Sequence, residues 1–315
     1  MTLRTTTADP AAGPNLRRGR PRPVDAIIRV LLVAAALVSV ATTVGIVIAL
    51  VEPAIEFFSE VSIVRFLTEK SWGPQFANPT YGILPLLTAT VMMTSISLVI
   101  AIPLGIGSAI YLAEYASPRA RKVLKPILEL LAGVPTVVYG FIALAALAPL
   151  LRDNVPGLSE LEFQNMLVAG LAMGIMIVPT IASISEDAMS AVPHSLREGA
   201  YALASTKMQV ATRVVVPAAI SGIVAAIVLG VSRAIGETMI VTIAGGLTSN
   251  DVDANPLHAA AAMTAYIASI AQGDVPVGTV DYNSLFAVGV VLFGLTFVLN
   301  AFSVRLVRKF REVYE

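Results

Sequence analysis

The chain has 315 residues, of which 56% are hydrophobic and only 13% charged, and its mean hydropathy is +0.81. Soluble domains carry about a quarter of their residues as charges, so long uncharged runs at this composition exclude an ordinary soluble enzyme and leave a polytopic membrane protein. Cysteine is absent and the two histidines, His194 and His258, lie far apart, which excludes disulfide frameworks, thiolate sites and cysteine nucleophiles and argues against a histidine-built metal site.

A helix rises about 1.5 Å per residue, so roughly 20 apolar residues cross a hydrocarbon core of about 30 Å. Residues 1–26 are polar and rich in Pro, Gly and Arg, and are expected to form a disordered cytoplasmic tail. The first span covers 27–51; it is too long for a cleavable signal and reads as a signal anchor. Residues 52–81 place Glu52, Glu56, Glu60 and Glu69 among Ile55, Phe57, Phe58, Ile63 and Phe66, which suits either an interfacial helix or a partner surface. Five further spans are expected at about 83–112, 130–151, 163–185, 214–246 and 282–304, within a unit covering 82–305, followed by a short tail at 306–315. Continuous apolarity selects helices over the alternating strands of a barrel.

Net charge is zero but unevenly spread. Arg4, Arg17, Arg18, Arg20, Arg22 and Arg29 precede span one; Arg119, Arg121, Lys122 and Lys125 follow span two; Arg197, Lys207 and Arg213 follow span four; Arg305, Arg308, Lys309 and Arg311 follow span six. The opposite side has Arg65, Lys70 and Arg152, and segment 247–281 has no basic residue but four aspartates. Positive charge marks the cytoplasmic side, so the expected architecture is an all-α bundle of six transmembrane helices with both termini inside.

The cytoplasmic connection 186–217 is the most informative. Ser195 followed by Glu198 has the spacing of a capping box, so a short helix is expected from near 196 to about 205, with Pro193 stopping the helix before it. Such a helix is too short to stand alone and must dock, either on its own bundle or on a partner. In span five, Arg233 and Glu237 are spaced i, i+4, on one face of a continuous helix. They form either a neutralising pair that fixes packing or a site where Arg233 stabilises a passing anion while Glu237 holds it and tempers binding. Glu114 and Glu129 are expected to pair with nearby cations at the interface, His258 to lie at the surface, and 259–271 to form a partly inserted helix. Thr136 and Tyr139 suit either pathway lining or packing.

Two stretches carry a resemblance. Glu198-Gly199-Ala200, then Ala204, then Val214-x-Val216-Pro217 resembles the EAA motif of binding-protein-dependent ABC importer permeases, with Gly199 and Ala204 departing from the family's alanine and glycine. Ser232-Arg-Ala-Ile-Gly-Glu-Thr-Met239 resembles the phosphate-specific permeases of the PstC type, as do Gly82–Thr88, Pro103–Gly105, Tyr111–Tyr115 and Leu130–Phe141. The resemblance spans about 80–305 and implies a type I, MetI-like permease bundle. It implies a non-catalytic subunit with no cofactor of its own, ATP and Mg being bound by a PstB-like ATPase dimer that docks on Ser195, Glu198, Gly199, Ala200, Ala204 and Pro217. The other implied partners are a PstA-like second permease, an extracytoplasmic PstS-like binding protein, inorganic phosphate and membrane lipid, with no nucleic acid. Arg233 and Glu237 would then line the phosphate pathway. A permease for sulfate or molybdate is the nearest alternative; a proton-coupled secondary transporter using Glu237 would need inverted repeats, and the charged motif has no counterpart in the first three spans. No Gly-x-x-x-x-Gly-Lys occurs, so the chain lacks a Walker A loop of its own.

Overall fold

The computed structural model describes residues 23–309 apart from 249, 250 and 274; the expected tails lie outside the described residues at 1–22 and 310–315. The chain divides into two units, Met1–Ala49 and Leu50–Glu315. The first contributes most of helix α1 (Pro23–Glu60), uniformly apolar around its circumference. The helix extends further at both ends than the 27–51 expected, because no breaker intervenes; its proline, Pro53, is accommodated within it.

The second unit begins with the end of α1, a short α2 (Ile63–Thr68) and a two-stranded hairpin, β1 (Trp72–Gly73) and β2 (Thr80–Tyr81), with Trp72 opposite Tyr81. Phe57, Phe66, Trp72 and Tyr81 pack edge to face in one buried cluster that also takes in Tyr266, while Ile63, Val64 and Leu67 stay exposed. The aromatic half of this segment is therefore core, and only the aliphatic half remains for lipid or a partner.

Helix α3 runs from Leu84 and ends in a π-helical turn, Tyr111–Tyr115. An amphipathic α4 (Pro118–Ala132), capped by the Ser117 hydroxyl, follows. The expected third span, 130–151, is corrected here: Gly133–Pro135 breaks the chain, and α5 occupies Thr136–Asn154. Leu130 and Leu131 are exposed residues of α4 and belong to its apolar face.

Helix α6 (Met166–Ser190) is the central element. It lies against α3 at separations only small residues permit: a Cβ at Gly174 would sit 2.9 Å from the Ser97 carbonyl oxygen, and one at Gly170 would sit 2.7 Å from Ile96. Small residues at such contacts let backbones approach where lipid offers no hydrophobic drive for association. Met93, Met173, Met176, Ile177 and Ile181 fill the surrounding core.

After α6 come α7 (His194–Ala202), α8 (Lys207–Ala218, with a π-helical turn at Ala211–Val215) and α9 (Ile220–Ile235), with a bend of 73° between α8 and α9. A short turn of helix at Val241–Gly245, then α10 (Met263–Gln272) and α11 (Val280–Lys309) complete the fold. Among the described residues five helices are long and apolar enough to cross a membrane, six if the bent α8–α9 pair counts as one span. The expected fifth span, 214–246, is thus not one continuous helix.

The loop before α10 closes the start of α6. The amides of Met166 and Leu167 donate to the carbonyls of His258 and Pro256, and Val168 donates to the Asn165 side chain. These are the groups a helix start leaves unpaired. His258 is half-exposed, but its Nδ1 lies 2.6 Å from Asp253 Oδ2, so it is a bonded part of this loop rather than a free surface group.

The hydrogen bond to Asp253 raises His258 above the ordinary imidazole value, with Glu162 and Glu160 adding to it. The Asn255 amide and then His258 lower Asp253. The contribution of His258 is complete below its unfolded pKa and lost as pH rises through the raised folded value; that of Asp253 is present above its unfolded pKa and lost as pH falls through the depressed one. The loop is therefore expected to be tightest between roughly pH 4 and 6.5. Hydrogen exchange of amides 255–262, corrected for intrinsic rates, should show protection falling above the raised His258 pKa, and His258→Gln should abolish that upper limb.

Candidate functional site

Two places carry chemistry, at opposite ends of α9. The first is the break after Ile235. Gly236, which has poor helix propensity, caps α9, and the chain resumes helical hydrogen bonding only past Thr238. The expected i, i+4 face is consequently not formed. Glu237 lies outside the helix that carries Arg233, and among the described residues no ion pair joins them.

Each charge instead serves its own helix end. Arg233 sits in the last turn of α9, where a cation complements the negative end of the dipole. It is half-buried and donates from Nη1 to Thr180 Oγ1 of α6 at 3.1 Å. Glu237 is buried, and its Oε1 accepts from the amides of Met239 and Ile240 at 3.2 and 3.3 Å, capping the next helical turn. Its carbonyl accepts from the Thr264 hydroxyl of α10 at 2.6 Å. Ser232 donates to Asn300 of α11. Thr180, Thr264 and Asn300 were missed by sequence reasoning, since nothing local marks a neutral residue as the partner of a distant charge. The Gly-Glu-Thr triplet, by contrast, was a readable stop-and-restart signal.

The second place is the cytoplasmic connection. The expected capping box is corrected. Helix α7 starts at His194 with Pro193 as its cap residue, and Ser195 makes no capping hydrogen bond. Proline has no side-chain acceptor but its φ already suits a helix entrance, so the start shifts earlier and Ser195 falls inside the first turn. The capping box occurs at Thr206 and Gln209, opening α8.

Between the two helices, Ser205 N–H bonds to Ala200 O and Ala204 N–H to Tyr201 O, the double closure of a Schellman motif. That motif needs a left-handed residue, and Ala204 supplies it at φ 58°, the one positive-φ residue other than glycine among the described residues. Glu198 and Gly199 are exposed, with nothing near the place a Gly199 Cβ would occupy. Ala200 is half-buried, and Pro217 is exposed near the end of α8. Leu203 is 84% and Met208 61% exposed, so this elbow presents an uncovered apolar tip.

Behind it lies a charged layer. Glu186, fully buried on α6, is bonded by Arg121 and by Lys125 Nζ (2.7 Å), and Lys125 also reaches Asp187. The Asp187 and Glu186 bonds raise Lys125 above the ordinary lysine value. Glu114 pairs with Arg197 rather than with the α4 cations.

Residues 101–312 match the family described as binding-protein-dependent transport system inner membrane component. The chain is 39% identical over 272 residues to the probable ABC transporter permease protein YqgH of Bacillus subtilis, covering 86% of each chain. It is 35% identical to the phosphate transport system permease protein PstC of Mesorhizobium japonicum (75% of this chain, 76% of that one) and 34% identical to PstC 1 of Mycobacterium tuberculosis (78% and 82%). The fold is similar to a chain of the bacterial alginate ABC transporter solved with its pentasaccharide-bound periplasmic protein, at TM-score 0.64 and 17% identity over 91% of this chain and 96% of that one. It also resembles the inward-facing MetNI methionine transporter, at TM-score 0.52 and 19% identity over 73% and 95%.

The left-handed turn makes a prediction of its own. Ala204→Gly should raise stability by about 0.5–1 kcal/mol, the relieved strain less the greater backbone entropy that glycine loses on folding. The unfolding midpoint in detergent should rise by about one or two degrees; a fall would mean that the left-handed backbone is not what this position requires.

Proposed function

The chain belongs to the family of binding-protein-dependent transport system inner membrane components, and on that premise we propose that it is the phosphate-translocating permease subunit of an ATP-driven importer. The observation that carries the substrate is Arg233: a guanidinium in a membrane-spanning helix, bonded to the neutral Thr180 and with no carboxylate at ion-pair distance among the described residues. A cation in the bilayer costs about 2.5–3.5 kcal/mol on insertion scales, so it is normally neutralised or functional. Its planar donor fork suits an oxyanion with several acceptor oxygens. The PstC relatives, named for phosphate transport, supply the particular anion.

Thr180 orients Arg233 from α6, leaving part of the fork for the passing phosphate. Glu237, fixed by backbone amides, adds a negative charge in the same broken segment that keeps the anion from binding too tightly to leave. One arginine provides half a pathway, and a PstA-like second permease completes it. A PstS-like binding protein delivers phosphate to the acidic side. On the basic side a PstB-like ATPase dimer, holding ATP and Mg, receives the elbow formed by α7 and the start of α8, with Leu203 and Met208 as its apolar contacts. Closure of the ATPase pair displaces the elbow and switches the bundle between facing in and facing out.

Two outcomes test this. In cells lacking their own phosphate permeases and expressing the chain with its partner subunits, Arg233→Gln should reduce saturable, ATP-dependent uptake of labelled phosphate to background while the complex still assembles. Failure to assemble would make Arg233 a packing residue, and competition by sulfate or molybdate would reassign the anion. Glu198→Lys should leave ATP hydrolysis running while uptake falls; normal uptake in that variant would remove the docking role of α7.

A further inference from the structure

Arg197 is the charged residue of α7 that turns away from the exposed elbow. Its side chain is 11% exposed and that of Glu114 only 6%. Nε donates to Glu114 Oε1 at 3.0 Å, Nη1 to the Val192 carbonyl at 2.6 Å and Nη2 to the Met189 carbonyl at 2.8 Å. Glu114 lies in the π-helical turn that ends α3; Met189 lies in the last turn of α6; Val192 lies in the three-residue connection from α6 to α7. One guanidinium thus fastens α7 to the ends of two spans and across its own linker.

A linker of three residues, left alone, is a swivel that would absorb a push on α7. The Arg197 fork closes that swivel. It donates to the Met189 carbonyl, which the Val192 amide also reaches at 3.3 Å, and to the Val192 carbonyl in the linker, at the negative end of the helix dipole. It also reaches a carboxylate on α3, which is already in close backbone contact with α6. The covalent path in the other direction, through α8, bends by 73° before α9.

We propose that Arg197 is the joint that passes displacement of α7 to α3 and α6, with Glu114 as its receiving residue on α3. Arg197 is a positioning residue: it acts on the pathway through the two spans, not on the anion. The proposal rests on the reading of α7 as the ATPase-docking helix.

The test uses the whole complex reconstituted in liposomes, measuring phosphate moved per ATP hydrolysed and stimulation of hydrolysis by the binding protein. Arg197→Met should leave the ATPase bound and hydrolysing while phosphate per ATP falls by about tenfold or more and stimulation is lost. Glu114→Gln should shift both in the same direction by less, and Arg197→Lys, a charge without the fork, should fall between wild type and Arg197→Met. The double variant Arg197→Met, Glu114→Gln should be no worse than Arg197→Met alone, as for two residues of one joint. An unchanged ratio in Arg197→Met, or independent effects that multiply in the double variant, would overturn the proposal. If Arg197→Met fails to accumulate, the ratio in Glu114→Gln decides: a value equal to wild type overturns the joint. Docking is read separately. The chain has no cysteine, so Leu203→Cys is a single reporter, and failure of that position to cross-link to the ATPase would remove the docking reading whatever the ratio shows.

Discussion

A helix interrupted inside a bilayer frees backbone groups that no water can satisfy, and each one left bare costs several kcal/mol. Much of the outer half of this protein answers that constraint. The break at Gly236–Thr238 is closed by the Glu237 carboxylate on the amides that follow and by the Thr264 hydroxyl on the Glu237 carbonyl. Further along, Asn165 N–H bonds to Ala244 O and the Gln164 amide to Ile243 O. The loop that brings α10 to this position also pairs the first amides of α6. The break, the outer loop and the start of the central helix are therefore one hydrogen-bonded construction around a charged, irregular segment.

The basic end is organised differently, by charge. Arg121, Lys125 and Glu186 tie α4 to α6, and Arg197 and Glu114 tie α7 to α3. A buried pair such as Arg197–Glu114 contributes little net stability against apolar replacements but is costly to break singly, as is the buried Glu186 carboxylate to leave without its cations. That asymmetry holds the tied elements together as a unit. It resists small independent displacements of its members while adding little to the overall folding free energy.

How much of this was legible in the sequence follows from the range of each interaction. Span existence came from apolar run length, and those runs were long. Boundaries suffered where an amphipathic helix adjoined an apolar run: Leu130 and Leu131 read as membrane residues because the run continued past Gly133–Pro135, although the glycine–proline pair marked the break. The capping box expected at Ser195/Glu198 is not made, and the one that forms lies at Thr206/Gln209. The distinguishing feature, Pro193 serving as cap two residues before Ser195, is present in the sequence. Partners across long separations, such as Glu114 with Arg197 or Arg233 with Thr180, leave no local trace.

The i, i+4 spacing of Arg233 and Glu237 invites a pairing that assumes an unbroken helix. Once Gly236 ends that helix, the same two residues fall where an isolated helix end of each polarity wants them, the cation in a last turn and the carboxylate at a first turn. Dipole complementarity therefore accounts for the sign and order of both charges without any contact between them. It does not account for an arginine in particular, since a lysine would complement the dipole as well. What the guanidinium adds is a flat fork able to hold Thr180 with one arm and offer the others, and the proposed oxyanion role rests on that surplus of donors beyond local need.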